Sequence, residues 1–127
     1  MLSGKDTIIA CSSPPGRGAI STIRLSGSKA ISIIQKITKA KLKRKVSVIK
    51  FPLDNGLEEK CVLTIFKSPN SYTGEDVVEI STHGNPLIVE KVIEKCLNSG
   101  AKIAEPGDFT LRAFLNDKLT IDQSEAV

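Results

Sequence analysis

Two charged residues stand in the middle of otherwise apolar, β-rich runs: Arg24 within 19–25, and Glu79 within Val77-Val78-Glu79-Ile80-Ser81. A charge placed there must face solvent, pair with another charge, or bind something polar. A buried carboxylate accepts two parallel N–H bonds from an amino-pyrimidinone edge, and an arginine grips a carboxylate with the same two-pronged geometry. Together they suit a ligand such as a folate. Mutual pairing or simple exposure is the ordinary alternative.

Other reactive types are sparse. The single histidine, His83, follows a strand and precedes a capped helix, where a side chain and free backbone N–H groups commonly face a ligand. Its plainer role is that of a hydrogen-bonded hinge. No GxSxG elbow accompanies it, so a nucleophilic hydrolase is not supported. Neither Gly16-Arg17-Gly18 nor Gly74-Glu75-Asp76 satisfies GxxxxGK[ST], so this segment should not hydrolyse nucleotides. Arg17 suits an anion, a partner subunit or solvent equally well. Cys11, Cys61 and Cys96 are widely spaced and odd in number, which suits buried thiols in a reducing cytoplasm better than zinc.

The elements that must position these residues come from a chain of 127 residues, enough for one domain with a real core. Aromatics make up 4% and tryptophan is absent, so Ile, Val and Leu must fill that core. The net charge of +4 comes largely from Lys39, Lys41, Lys43, Arg44 and Lys45. That run reads as a solvated loop after a helix, or as a contact for phosphate or RNA. No export signal and no long apolar span is visible, so a cytoplasmic protein without membrane contact is expected.

Strands are expected at 7–11 and 19–25, the latter with Ser21, Ile23 and Leu25 on one face and Ile20, Thr22 and Arg24 on the other. Ser28 is placed to cap a helix bearing Ala30, Ile33, Ile34 and Ile37 at helical spacing, with Ile31 widening the stripe. Runs 46–52 and 57–66 flank Asp54-Asn55-Gly56, the signature of a β-hairpin. A polar loop at 69–76 leads into the strand of Glu79. Asn85 then caps, Pro86 opens, and Gly100 stops a helix with the stripe Val89, Val92, Ile93, Cys96 and Leu97. A short strand at 101–104 precedes one or two helical turns over 109–115, broken at Asn116-Asp117-Lys118. Asp122 caps 123–127, with Glu125 in the capping-box position, and no stop signal follows. Such a short helix does not hold together alone, so the polypeptide is expected to continue. The fold class is α/β (α+β): a mixed sheet with an antiparallel hairpin and packed helices.

Four strings complete the reading: Pro14-Pro15-Gly16-Arg17-Gly18; Pro69-Asn70-Ser71-Tyr72-Thr73-Gly74-Glu75-Asp76-Val77; His83-Gly84; and Glu105-Pro106-Gly107-Asp108-Phe109-Thr110 with Arg112-Ala113-Phe114-Leu115-Asn116-Asp117-Lys118-Leu119. In this order, from Asp6 to Val127, the chain resembles the amino-terminal domain of the MnmE (TrmE) family of bacterial tRNA modification GTPases. The resemblance implies a fold similar to the tetrahydrofolate-binding domain of aminomethyltransferases. It implies binding of a tetrahydrofolate derivative, 5-formyl- or 5,10-methylene-tetrahydrofolate, and formation of a homodimer. It further implies a partnership with the flavoprotein MnmG (GidA) in modifying C5 of the wobble uridine of certain tRNAs. Residues 1–119 would be the folate-binding and dimerisation domain and 120–127 the start of a helical domain. GTP, with Mg and K, belongs by the same resemblance to a GTPase domain outside this chain. The family's folate-binding arginine falls on Arg24, its glutamate on Glu79 and its lysine on Lys118. Glu79 is thereby assigned to the pterin edge, Arg24 and Lys118 to polar or anionic parts of the ligand. The sequence departs from the family at Ser81-Thr82-His83-Gly84-Asn85-Pro86, where a glycine usually precedes the histidine and a second glycine follows. A basic tRNA-binding module and a purely structural dimerisation domain are the competing readings.

Overall fold

The computed structural model describes residues 6–12 and 20–118. Arg17 and its motif, and the helix expected from Asp122, lie outside the described residues, as does the boundary expected at 119/120. The element order is β1 (Ile8–Cys11), β2 (Ile20–Ser26), α1 (Ala30–Thr38), β3 (Val46–Pro52), β4 (Glu58–Phe66), β5 (Val77–His83), α2 (Pro86–Asn98), β6 (Lys102–Ile103) and α3 (Asp108–Leu115). The six strands form one sheet in the order β3-β4-β5-β2-β1-β6. All pairings are antiparallel except β1 with β6, so the sheet is mixed, as expected.

Side-chain alternation splits the sheet into two unlike faces. Ile23 and Leu25 of β2, Ile80 and Val78 of β5, Leu63 and Cys61 of β4, and Ile49 and Phe51 of β3 point to one side. There α1 and α2 close over them with Ala30, Ile33, Ile34, Val92 and Cys96, giving a nearly all-aliphatic core. Ile31, Ile37, Val89 and Ile93 pack on its margin, whereas Leu97, expected in the stripe, is 38% exposed.

The hairpin turns at 53–57 around Asn55, whose φ of 60° is one that asparagine tolerates. Asn85 caps α2 as expected, its Oδ1 accepting from Leu87 N–H at 2.9 Å. Ser28 does not cap α1. The helix starts one residue later than a Ser28 cap would place it, and Thr7 Oγ1 in the strap before β1 accepts the Lys29 N–H at 3.1 Å. The donor is satisfied from a neighbouring element, which local spacing does not reveal. No helix among the described residues is long and apolar enough to cross a membrane.

Cys61 and Cys96 lie in the core, and burial pushes both thiols up to about 12. Cys11 is only half-buried, against the expectation of three buried thiols, because it ends β1 at the sheet's rim. In a thiol titration at pH 8 the folded chain should therefore lose Cys11 rapidly to an aromatic disulfide reagent. Cys61 and Cys96 should react only as fast as the protein unfolds.

Candidate functional site

Across the other face of the sheet the strand registers stack into rows. The row Phe66, Val77, Ser26, Ile8 is covered, with Val77, Ser26 and Ile8 at most 1% exposed. Two rows away, Val48, Val62, Ser81 and Thr22 form an open surface. Between them runs Thr64, Glu79, Arg24, Ala10. The two strand-embedded charges thus sit side by side at the centre of the sheet, on the line where its covered part gives way to solvent.

Arg24 and Glu79 are directly opposite each other on β2 and β5. Arg24 donates from Nε at 3.1 Å and Nη2 at 2.9 Å, both to Glu79 Oε2, and each side chain retains 25% exposure. Glu79 Oε1 and Arg24 Nη1 make no hydrogen bond with any described residue. The pair is formed but not saturated. The guanidinium carbon lies 5.4 Å from the Tyr72 ring centroid and 5.7 Å from that of Phe109, within cation–π range of both.

The two rings are held there by a polar cluster at the covered end of the same face. Ser26 Oγ donates to Glu75 Oε1 at 2.7 Å, which leaves Thr73 Oγ1 to donate to Ser26 Oγ at 2.7 Å. Arg112 of α3 reaches the same carboxylate with Nη1 at 3.0 and 3.2 Å. Asn116 Nδ2 donates to Thr73 O and Arg112 O, both at 2.9 Å. Gly74 has φ +82°, and a Cβ there would lie 2.8 Å from Asn116 Cβ, so only glycine lets α3 come so close. The result clamps the 71–76 loop and α3 together over β2. Tyr72 Oη and Thr110 Oγ1, 3.0 Å apart, add a tie on the outer side.

Lys118, the third expected site residue, is exposed just beyond α3. Its N–H bonds Ala113 O at 2.8 Å and its Cγ lies over Gly74, on the loop that carries Tyr72. No hydrogen bond or ion pair joins it to Arg24 or Glu79. Tyr72, Phe109, Glu75 and Arg112 had no individual role in the sequence reading. Tyr72 and Glu75 share one motif string, Phe109 and Arg112 another, and that was their only signal.

His83 forms a separate arrangement on the rim of the helix-covered side. Glu59 Oε2 receives His83 Nδ1 at 2.7 Å, His83 N–H at 3.3 Å and Thr82 Oγ1 at 3.2 Å. Burial pushes the Glu59 carboxyl up, but the bonds from the His83 ring, the His83 N–H and Thr82 outweigh it and hold the group below its ordinary value. Facing an ionised carboxylate, Nδ1 must be the donor. The ring is a hydrogen-bonded hinge at the β5–α2 junction, the plainer of its two readings.

Fold and site together define an α/β domain with an unsaturated, aromatic-flanked ion pair at the centre of its open sheet face. The chain belongs to the family described as GTP-binding protein TrmE N-terminus, whose model matches residues 7–118. It is 50% identical over 124 residues to the tRNA modification GTPase MnmE of Francisella tularensis subsp. holarctica strain OSU18. It is 49% identical to those of F. tularensis subsp. novicida strain U112 and of Francisella philomiragia. Each match covers 97% of this chain and 28% of the relative's length.

Two outcomes follow from the geometry. Glu75→Ala removes the carboxylate that Ser26 and the buried Arg112 both bond and should destabilise the chain by about 3 kcal/mol, a drop of roughly 10 °C in Tm by calorimetry. Because the Glu59 carboxyl is depressed in the folded state, its contribution is complete above the ordinary value of 4.5 and fades as pH falls through the lower, folded value. Glu59→Gln should accordingly cost stability at pH 7 and flatten the loss of Tm on acidification below that value.

Proposed function

We propose that this chain is the tetrahydrofolate-binding and homodimerisation domain of a tRNA modification GTPase. The observation that carries the reading is the unsaturated Arg24–Glu79 pair between two aromatic rings. Its donor set fits the group. Glu79 Oε1 is available to an N–H donor beside Oε2, which matches the amino-pyrimidinone edge of a pterin. Tyr72 and Phe109 offer flat apolar surface for a heterocycle. Arg24 Nη1 and the exposed Lys118 supply positive charge for the carboxylates of the ligand's tail.

Bound there, a tetrahydrofolate derivative would supply a one-carbon unit. The protein's own part is to bind and orient: Glu79 fixes the pterin edge, Arg24 holds that carboxylate in place through two hydrogen bonds, and the clamp at Glu75 holds the rings in place. The relatives' name supports tRNA as the substrate and GTP hydrolysis as an activity of the whole protein; in this reading GTP, Mg and K belong to a domain outside this chain. Partnership with MnmG (GidA), modification of C5 of the wobble uridine, and a cytoplasmic location complete the reading.

The test is calorimetric titration of 5-formyltetrahydrofolate into the chain, with sedimentation run alongside. Binding should be saturable and weakened about 10- to 100-fold by Glu79→Ala, the range expected for losing charge-assisted hydrogen bonds. Equal binding by both proteins would remove Glu79 from the site. A folded dimer indifferent to the ligand would leave a purely structural dimerisation domain.

A further inference from the structure

The positive charge of this chain is concentrated in one place. Lys39, Lys41, Lys43, Arg44 and Lys45 occupy the irregular strap between α1 and β3, and Lys67 directly follows β4; all six are exposed. Setting these aside leaves twelve Lys or Arg against fourteen Asp or Glu, so the chain's whole cationic excess resides here. Four basic side chains elsewhere pair with acids, Arg24 with Glu79, Arg112 with Glu75, and Lys91 and Lys95 with Asp54, and the other described lysines are scattered singly along the chain. No carboxylate among the described residues pairs with any of the six.

The strap does not simply wave in solvent. It folds against the end of β4, and a cleft of about 290 Å³ opens between them, floored by Leu42, Ile65 and Phe66 and rimmed by Lys43, Arg44, Lys45 and Lys67. Lys45 Nζ sits 5.0 Å from the Phe66 ring centroid, a weak resting place that an anion outcompetes. Asn70, two residues before Tyr72 on the same loop, also lines the cleft.

We infer that this basic cleft and strap form a docking site for the phosphate backbone of RNA. Unpaired cations lining one cleft repel one another within a Debye length, and a polyanion both relieves that repulsion and releases counterions. The length of the patch selects the kind of anion. The six steps from Lys39 to Lys45 reach at most about 22 Å, less the turn closed by Lys43 N–H on Lys41 O, and with Lys67 beside them the cations still outnumber what one carboxylate or phosphate contacts. A strand with a charge on every nucleotide meets all of them, and Phe66 adds one surface for a base. The inference rests on the proposed function only for the choice of tRNA as the RNA to test.

The experiment measures binding of fluorescently labelled bulk tRNA to this chain by anisotropy from 50 to 300 mM KCl. The comparison protein carries Lys43→Ala, Arg44→Ala, Lys45→Ala and Lys67→Ala together. These four side chains are exposed, and thermal melting with circular dichroism verifies that the variant is folded. Affinity at 150 mM should fall at least about tenfold, and the slope of log K against log salt should become shallower by about 3, since each phosphate the variant no longer neutralises removes about 0.7 to 0.9. No measurable tRNA binding by the parent chain, or an unchanged affinity and slope in the variant, would overturn the inference. Displacement of tRNA by poly-L-glutamate at equal charge concentration would overturn the assignment to RNA. Salt-sensitive tRNA binding by a chain that ignores folate would leave this inference standing and remove the proposed function; folate binding without tRNA binding would do the reverse.

Discussion

The open face of this domain depends on one carboxylate. Glu75 receives Ser26 from the sheet and Arg112 from α3, and its own N–H bonds Thr73 Oγ1 at 3.2 Å. Three segments far apart in sequence therefore converge on a single half-buried charge. Such a pair gains little over an apolar contact of equal volume, because both partners must be stripped of water. What it gains is position: Tyr72 and Phe109 come to rest beside Arg24 only if the 71–76 loop and α3 are locked to the same end of β2.

That division of labour separates stability from function across the sheet. The helix-covered side holds the aliphatic core, where non-directional burial of Ile, Val and Leu supplies the driving force. On the other side directional hydrogen bonds among Ser26, Thr73, Glu75, Arg112 and Asn116 close half the surface and leave half open. Arg24 and Glu79 occupy the boundary, dry enough for their charges to matter and wet enough to leave each side chain a quarter exposed. A pair with one free carboxylate oxygen and one free guanidinium nitrogen is a compromise between those demands, since a fully saturated pair would have nothing left to offer.

The basic strap obeys a different rule. Its cations are exposed and unpaired, so its electrostatics are long in reach and sensitive to salt, whereas the Arg24–Glu79 contact is short and half shielded. The 67–76 connection touches both: Lys67 and Asn70 border the cleft, and Tyr72 borders the ion pair. A polyanion held at one end and a small flat ligand held at the other would meet across a single loop.

Much of this was legible in the residues themselves. Alternation in β2 assigned Ser21, Ile23 and Leu25 to one face and Arg24 to the other, because a strand's period of two leaves no alternative. Helical spacing located α1 and α2, Asn55-Gly56 located the hairpin, and Asn85-Pro86 the start of α2, all effects that act within a few residues. A charge within each apolar strand marked Arg24 and Glu79 before any contact was known. Local pattern does not carry what lies across the chain. That Arg24 and Glu79 are opposite neighbours depends on the register of β2 with β5, and that Thr7 rather than Ser28 serves α1 depends on where the strap before β1 passes. Glu75 with Arg112, and the rings of Tyr72 and Phe109, take their roles only from segments 37 residues apart meeting over Ser26. The sequence by itself determined the elements, the faces and the charged candidates, because those follow from short-range sterics and burial; which charges meet, and what flanks them, was decided by long-range packing alone.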